Sequence, residues 1–362
     1  MKITFILPPL NMSGGIKVVG IYAKAFSERG HKVVLVSPAH PNITLKQRCK
    51  ALIKEFKWLS TPARYPSHID GLNIENIILS ENRPVLNDDI PDADVVIATW
   101  WETAEWVNQF NPSKGEKFYF IQHHEIFSYF SIERVKATYR LPLKKIVIAK
   151  WLKDLMKNQY ADDSAVLINN AVDHSQFSSE PRDKQSSPTV GFLYAPIPFK
   201  GTDITLKALA ILRERYSNLR IISFGIYEWN RDLFPDVEFY YSPPQDKIRD
   251  LYALCDVWLT ASRSEGFNLP AMEAMACRTP VVSTRTGWPE EAIIAAENGF
   301  LVDIDDFQEL AKAAQSILSM TNEHWKTMSE NAHATVASCS WEKSILQFED
   351  VLATAIKSGI DS

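Results

Sequence analysis

Two successive doubly wound α/β domains are predicted for this chain. Three observations carry the prediction: its length, an alternation of short apolar runs with amphipathic stretches, and a polar interruption after which that alternation restarts. At 362 residues the chain exceeds one ordinary core and suits two domains of roughly 150–180 residues each. In the first half, strands are expected at Ile3–Leu7, Lys32–Val36, Asn73–Ile78, Val95–Ala98, Phe118–Ile121, Ile146–Ala149 and Ala165–Ile168. Helices are expected at Ile16–Arg29, Leu45–Lys57, Glu102–Phe110 and Lys150–Tyr160. The Val/Ile runs are continuous rather than alternating, as in strands of a parallel sheet buried on both faces.

The segment from Ser178 to Pro188 is polar, contains Pro181 and Pro188, and reads as a linker. After it come strand Thr189–Leu193, helix Thr202–Tyr216, strands Leu219–Phe224 and Val237–Tyr241, helix Gln245–Leu254, strand Val257–Thr260, helix Pro270–Ala276 and strand Pro280–Ser283. Two strand–helix series in succession imply two doubly wound domains, placed at 1–175 and 186–340. The last segments, Asp306–Ser319, Glu323–Ala337 and Trp341–Lys357, read as helices without intervening strands. Trp341, Ile345, Phe348 and Val351 recur at helical spacing, so residues 341–362 are expected to pack as a helix against another body, the N-terminal domain.

A net charge of −5, with 46% hydrophobic and 23% charged residues, describes a soluble globular chain and argues against a general nucleic-acid binder. Cys49, Cys255, Cys277 and Cys339 are far apart, which suggests neither a zinc site nor a disulfide framework. The N-terminal apolar run is too short for a signal peptide and is broken by Pro8-Pro9. No apolar stretch is long enough to span a membrane. The expected location is the cytoplasm.

The strongest chemical signal runs from Ser262 to Val282 and includes Glu265-Gly266-Phe267-Asn268-Leu269-Pro270 and Glu273-Ala274-Met275-Ala276-Cys277. A strand ending near Thr260 delivers a tight loop at the carboxyl edge of the sheet. Pro270 suits the start of the following helix, where its missing N–H costs nothing. The amides of Phe267, Asn268 and Leu269 then leave the helix N-terminus as an anion site fit for a diphosphate. Glu273, about one turn in, is placed to grip vicinal hydroxyls such as those of a ribose.

Here the chain resembles glycosyltransferase family 4, whose members carry a Glu-x7-Glu motif in this context; Glu265 and Glu273 have that spacing. The resemblance implies the GT-B fold, two Rossmann-like domains facing across a cleft, with a C-terminal helix crossing back to the first. It implies that Glu265 approaches the donor sugar and that Glu273 holds the ribose. The alternative, a solvated helix face, is disfavoured by the length of the matching run. Phe199-Lys200-Gly201-Thr202-Asp203 looks like the family's Lys-Gly element, whose lysine neutralises donor phosphates. The family usually has an arginine five or six residues earlier; Tyr194 and Ala195 stand there, so that clamp is missing or supplied elsewhere. Asn268 and Arg278 replace frequent glycines; asparagine tolerates a left-handed backbone, and Arg278 reads as a helix-end residue. Gly225 fits a strand-to-loop turn near the ligand. Tyr240 and Tyr241 stand where the family holds its nucleotide base, with a core role equally open.

On the N-terminal side, Gly14-Gly15 follows the first strand and opens a helix, permitting close approach of phosphate or sugar; a plain turn is the alternative. With Arg29-Gly30-His31 it looks like the family's opening pattern, and it is not the dinucleotide fingerprint. Gln122-His123-His124-Glu125 ends a buried strand. Related transferases have His followed by Asp or Glu here, which puts His124 on the donor sugar or acceptor, with His123 as the other register and Glu125 beside it. Trp100, Trp101, Phe127, Tyr129 and Phe130 form either a sugar-stacking wall or core. Residues 134–157 hold eight Lys/Arg against one acid, a face for anionic lipid or a phosphorylated acceptor, or simply a solvated one.

Taken with the resemblance, the expected activity is retaining sugar transfer from a nucleotide-sugar co-substrate, a UDP- or GDP-sugar, to a glycan or lipid-linked acceptor in polysaccharide or glycolipid synthesis. Neither a cofactor nor a metal is expected. The rival readings are a nucleotide-sugar epimerase of the same fold, which would need no acceptor, and a non-catalytic sugar-binding protein, which would ignore nucleotides. Fold alone does not separate them.

Overall fold

The computed structural model describes residues 1–44, 65–232 and 234–360. The helix expected at Leu45–Lys57, and Cys49 with it, lies outside the described residues. The chain forms two compact units: residues 1–148, 152–168 and 345–362 make the first, and residues 149–151 and 169–344 the second.

The first unit is built on a parallel sheet of seven strands, β1 (Lys2–Ile6), β2 (Lys32–Ser37), β3 (Glu75–Ile78), β4 (Val95–Ala98), β5 (Glu116–Ile121), β6 (Lys144–Val147) and β7 (Val166–Leu167), in the order β3-β2-β1-β4-β5-β6-β7. Helices α1 (Gly14–Glu28), α2 (Trp101–Asn108), α3 (Ile132–Thr138) and α4 (Lys150–Tyr160) lie in the crossovers from β1 to β2, β4 to β5, β5 to β6 and β6 to β7. Ile3, Phe5, Ile6 and all of Val95–Ala98 are fully buried, which is why β1 and β4 read as unbroken apolar runs. Helix α3 escaped expectation because Ile132–Thr138 is only seven residues long and gives too few turns for a period to register.

In the second unit the six parallel strands are β8 (Thr189–Leu193), β9 (Arg220–Gly225), β10 (Val237–Tyr241), β11 (Val257–Thr260), β12 (Val281–Thr284) and β13 (Gly299–Val302). Their order is β10-β9-β8-β11-β12-β13, so the winding reverses between β8 and β11. Ligands of open α/β sheets bind outside the carboxyl ends of the strands at such a reversal. Helices α5 (Thr202–Arg215), α6 (Gln245–Ala253), α7 (Leu269–Ala276), α8 (Pro289–Ala292), α9 (Phe307–Leu318) and α10 (Asn322–Val336) complete the unit. Strand β13 was not anticipated. It is a four-residue edge strand, and its Gly299 lies so close to β12 that a Cβ there would meet the Val281 carbonyl oxygen at 2.2 Å.

The polar segment 178–188, read as a linker, is tied down along the second unit instead. Asp256, fully buried, accepts from the amides of Gln185 (2.8 Å) and Thr189 (2.9 Å), and Arg182 lies 4.4 Å over the Trp325 ring. A low-hydropathy stretch looks free in sequence because its partners, Asp256 and Trp325, are distant along the chain.

The final helix, α11 (Trp341–Ile360), divides between the units: Trp341–Ser344 group with the second and the remainder with the first. Phe348, fully buried, packs its ring on Tyr22 (4.8 Å), Phe120 (5.2 Å) and Phe26 (5.6 Å). Glu349 adds a polar fastening, paired with Arg29 at 2.6 Å and His31 at 2.5 Å.

Candidate functional site

The loops after β8, β9 and β11 gather the second unit's candidate residues at the sheet reversal. After β8 the chain makes a short turn, Pro198–Lys200, and Gly201 starts α5 with φ +64°. A Cβ on Gly201 would sit 1.8 Å from the Ala261 carbonyl oxygen, so only glycine lets this turn lie against the β11 loop. That contact delivers Lys200 to Glu265, with Nζ 2.8 Å from Oε1. Ser262 donates its hydroxyl to the same oxygen at 2.7 Å. The Glu265 side chain is 10% exposed, so its carboxylate depends on these two donors more than on water. Arg263 braces the loop against Asp203 (2.8 Å) and Asp305 (2.6 Å).

Asn268 adopts φ +78° and donates from its side-chain amide to Thr260 Oγ1 at 2.8 Å, both groups being buried. This left-handed turn starts α7, and the N–H groups of Phe267, Asn268 and Leu269 donate to no other described backbone group. Phe267 is buried and stacks on Trp288 at 5.8 Å; the Gly266 carbonyl accepts from the Trp151 indole at 2.8 Å. Glu273 is 7% exposed and accepts from the Tyr252 hydroxyl at 2.9 Å. Arg278, also left-handed at φ +59°, closes α7 and pairs with Glu330, as befits a helix-end residue.

Gly225 ends β9 where a Cβ would meet the Tyr194 carbonyl oxygen at 2.3 Å. The Tyr194 ring, which stands where the family usually has its arginine, belongs to the core, packed on Trp229 (4.7 Å) and Phe239 (5.7 Å). An aromatic residue following an apolar strand continues the core when its neighbours are also aromatic. Tyr240 and Tyr241 go the other way: Tyr241 is 61% exposed at the end of β10.

On the first unit, Gly15 opens α1, and its carbonyl accepts from Gln122 Nε2 at 3.1 Å, which ties the turn to the end of β5. Gly14 has open space where a side chain would be. His124 Nε2 lies 2.7 Å from the Tyr160 hydroxyl, and His123 Nδ1 lies 2.9 Å from the His124 carbonyl oxygen. Glu125 turns inward, is 4% exposed, and accepts from the Trp101 amide at 3.0 Å, so it caps α2 rather than facing a ligand. Burial pushes the Glu125 carboxyl well above the usual range.

Burial, with help from His123 and Lys136, lowers His124 to about 4. The unfolded chain therefore takes up this proton first. The His124 contribution to stability is complete above pH 6.5 and declines as the pH falls towards 4. NMR titration of the ring is expected to show a neutral imidazole from pH 8 to 5; a midpoint near 6.5 would refute its buried placement.

Of the aromatic group nearby, Trp101 is core and Tyr129 is 67% exposed, stacked on Phe127 at 5.4 Å, which stacks in turn on His123 at 5.1 Å. In the basic run 134–157, Arg134, Lys136, Lys144, Lys145 and Lys157 all have acidic partners, namely Glu105, Glu133, Glu116, Asp162 and Asp163. Much of that charge is spent within the chain, which favours the solvated-face reading. Among the described residues no helix is long and apolar enough to cross a membrane, and no cluster of His, Cys, Asp and Glu is suited to a metal ion.

Sequence reading did not single out Tyr252 or Tyr160, and it gave Gln122 no role of its own within the run ending at Glu125. Each resembles any strand-end or core residue until its partner is seen, and only the partners Glu273, Gly15 and His124 carried a signal.

Two parallel doubly wound sheets, one in each unit, make the GT-B fold. Among solved structures, sucrose-phosphate synthase from Thermosynechococcus elongatus superposes with a TM-score of 0.74 at 17% identity, covering 99% of this chain and 100% of that one. Anabaena HepE, solved in complex with UDP and glucose, gives 0.74 at 18% identity, covering 98% and 100%. Residues 175–335 match the family model described as glycosyl transferases group 1. An uncharacterized glycosyltransferase of Methanocaldococcus jannaschii is 28% identical over 56% of this chain and 57% of its own length. A D-inositol 3-phosphate glycosyltransferase of Corynebacterium urealyticum is 31% identical over 46% and 43%. The matches thus span about half the length of these curated relatives.

Proposed function

We propose that the chain is a retaining glycosyltransferase that moves a sugar from a UDP- or GDP-sugar to a hydroxyl of a glycan or lipid-linked acceptor, in polysaccharide or glycolipid synthesis. The observation that carries this reading is the convergence of Lys200, Glu265 and the start of α7 at the carboxyl edge of β8 and β11. HepE, bound to UDP and to UDP-glucose in its solved structures, has the same fold and supports a nucleotide-sugar donor.

In this reading the donor diphosphate lies on the amides of Phe267, Asn268 and Leu269 and draws the Lys200 ammonium towards it. Both stabilise the charge that builds on the leaving group. Glu265 keeps the Ser262 hydrogen bond and meets the donor sugar. Glu273 takes the ribose, and the exposed Tyr241 and the Gly225 turn meet the base. The first unit binds the acceptor, with His124 and the exposed Tyr129 as its contacts, and Gly15 is a donor-binding residue.

Thermal unfolding against UDP, GDP, ADP, CMP, dTDP and NAD tests the reading. A ligand at a hundred times its Kd stabilises by about 2.7 kcal/mol, and one nucleoside diphosphate is expected to do so. A shift with NAD alone would sink the proposal. Donor breakdown that requires an acceptor separates transfer from epimerisation. Glu273→Ala is expected to weaken binding of that nucleotide about tenfold or more, since it removes charge-assisted hydrogen bonds. Equal affinity in calorimetry would remove Glu273 from the ribose.

A further inference from the structure

We propose that Tyr252 is a positioning residue for Glu273: its hydroxyl sets the carboxylate at the angle that ribose binding needs. The inference rests on the reading of Glu273 as the ribose ligand given above. Tyr252 lies on α6, and its ring is fully buried against Trp258 (4.5 Å), Phe224 (5.6 Å) and Phe177 (6.2 Å). The core therefore fixes where the hydroxyl points, and it points at Glu273 Oε2, 2.9 Å away.

The packing itself has no use for that oxygen, because phenylalanine would fill the same space. A buried hydroxyl without a partner is unfavourable, and here the partner is a carboxylate that is itself almost wholly buried. Burial, and then the Glu273 charge, push the phenol well above its ordinary range, so Tyr252 remains a donor at every working pH. A carboxylate has about four lone-pair directions. With one taken by Tyr252 the group is restrained from rotating, and the cost of aligning it with two vicinal hydroxyls has been met before the ligand arrives.

The test measures binding of UDP and GDP, and of their 2′,3′-dideoxy analogues, by calorimetry. Wild type, Tyr252→Phe, Glu273→Ala and the double variant are compared, with thermal unfolding as a check on folding. Wild type is expected to prefer the ribonucleotide. Tyr252→Phe is expected to lose about tenfold in ribonucleotide affinity, the scale of one hydrogen bond to a charged group, with dideoxynucleotide affinity unchanged. In the Glu273→Ala background the Tyr252 change is expected to have no further effect. Retention of ribonucleotide affinity within twofold would overturn the inference, as would an equal loss for the dideoxy form or an effect that persists without Glu273. If wild type itself fails to distinguish ribose from dideoxyribose, the ribose reading of Glu273 falls, and the role of Tyr252 falls with it.

Discussion

Glu265→Gln is expected to lower turnover by about 10²–10³, roughly the 3–4 kcal/mol seen when one preorganised group facing the reacting centre is removed. The substitution keeps size and a hydrogen-bond acceptor but abolishes the charge that pairs with Lys200 at 2.8 Å. Lys200 then loses the carboxylate that competes with phosphate for its ammonium, so affinity for the nucleoside diphosphate is expected to hold or rise. The combination is diagnostic: kcat collapses while product affinity does not. Single-turnover rates with the donor identified by thermal unfolding, together with calorimetry of the diphosphate product, measure the two halves. Turnover within tenfold of wild type would remove Glu265 from the chemistry; a matching loss of diphosphate affinity would make it a loop-holding residue instead.

Phe348→Ala is expected to cost about 3–5 kcal/mol, the range for truncating a buried aromatic ring. Its ring fills a site among Tyr22, Phe26 and Phe120, and Tyr22 contacts both of the other two, so the surround cannot collapse without breaking other pairs. For a unit of this size that loss corresponds to a fall in Tm of about 10 °C, with nucleotide affinity unaltered. A fall of less than about 3 °C would show that the site closes over the gap.

Much of the fold was legible because the parallel sheets bury both faces. Strands such as Val95–Ala98 and Val257–Thr260 leave no polar alternation to misread, and their bounds in the structure are those the sequence suggested. Strand β13 was not legible, since Gly-Phe-Leu-Val at a sheet edge is too short to register as a run. The donor loop was legible for a local reason: Glu265 to Glu273 is one continuous stretch in which turn, helix start and carboxylates follow each other. What the sequence withheld was pairing. Nothing near Ser262 or Lys200 in the chain says that both donate to the same carboxylate oxygen, because 65 residues separate Lys200 from its partner. His124-Glu125 shows the opposite failure. Adjacent polar residues looked like one constellation, yet the backbone sends Glu125 into the interior and leaves only its neighbour half-buried.

The divided last helix has a consequence for the order in which the molecule can be built. The second unit is nearly continuous in sequence, so it can close as soon as residues up to 344 are made. The first unit is not: the Arg29–Glu349 pair joins positions 320 apart. Closing so long a loop adds little to the equilibrium cost but sets a late step in time. Until residues 345–360 emerge from the ribosome, Tyr22, Phe26 and Phe120 present a vacant aromatic seat. During synthesis, that seat is where a chaperone would find its hold.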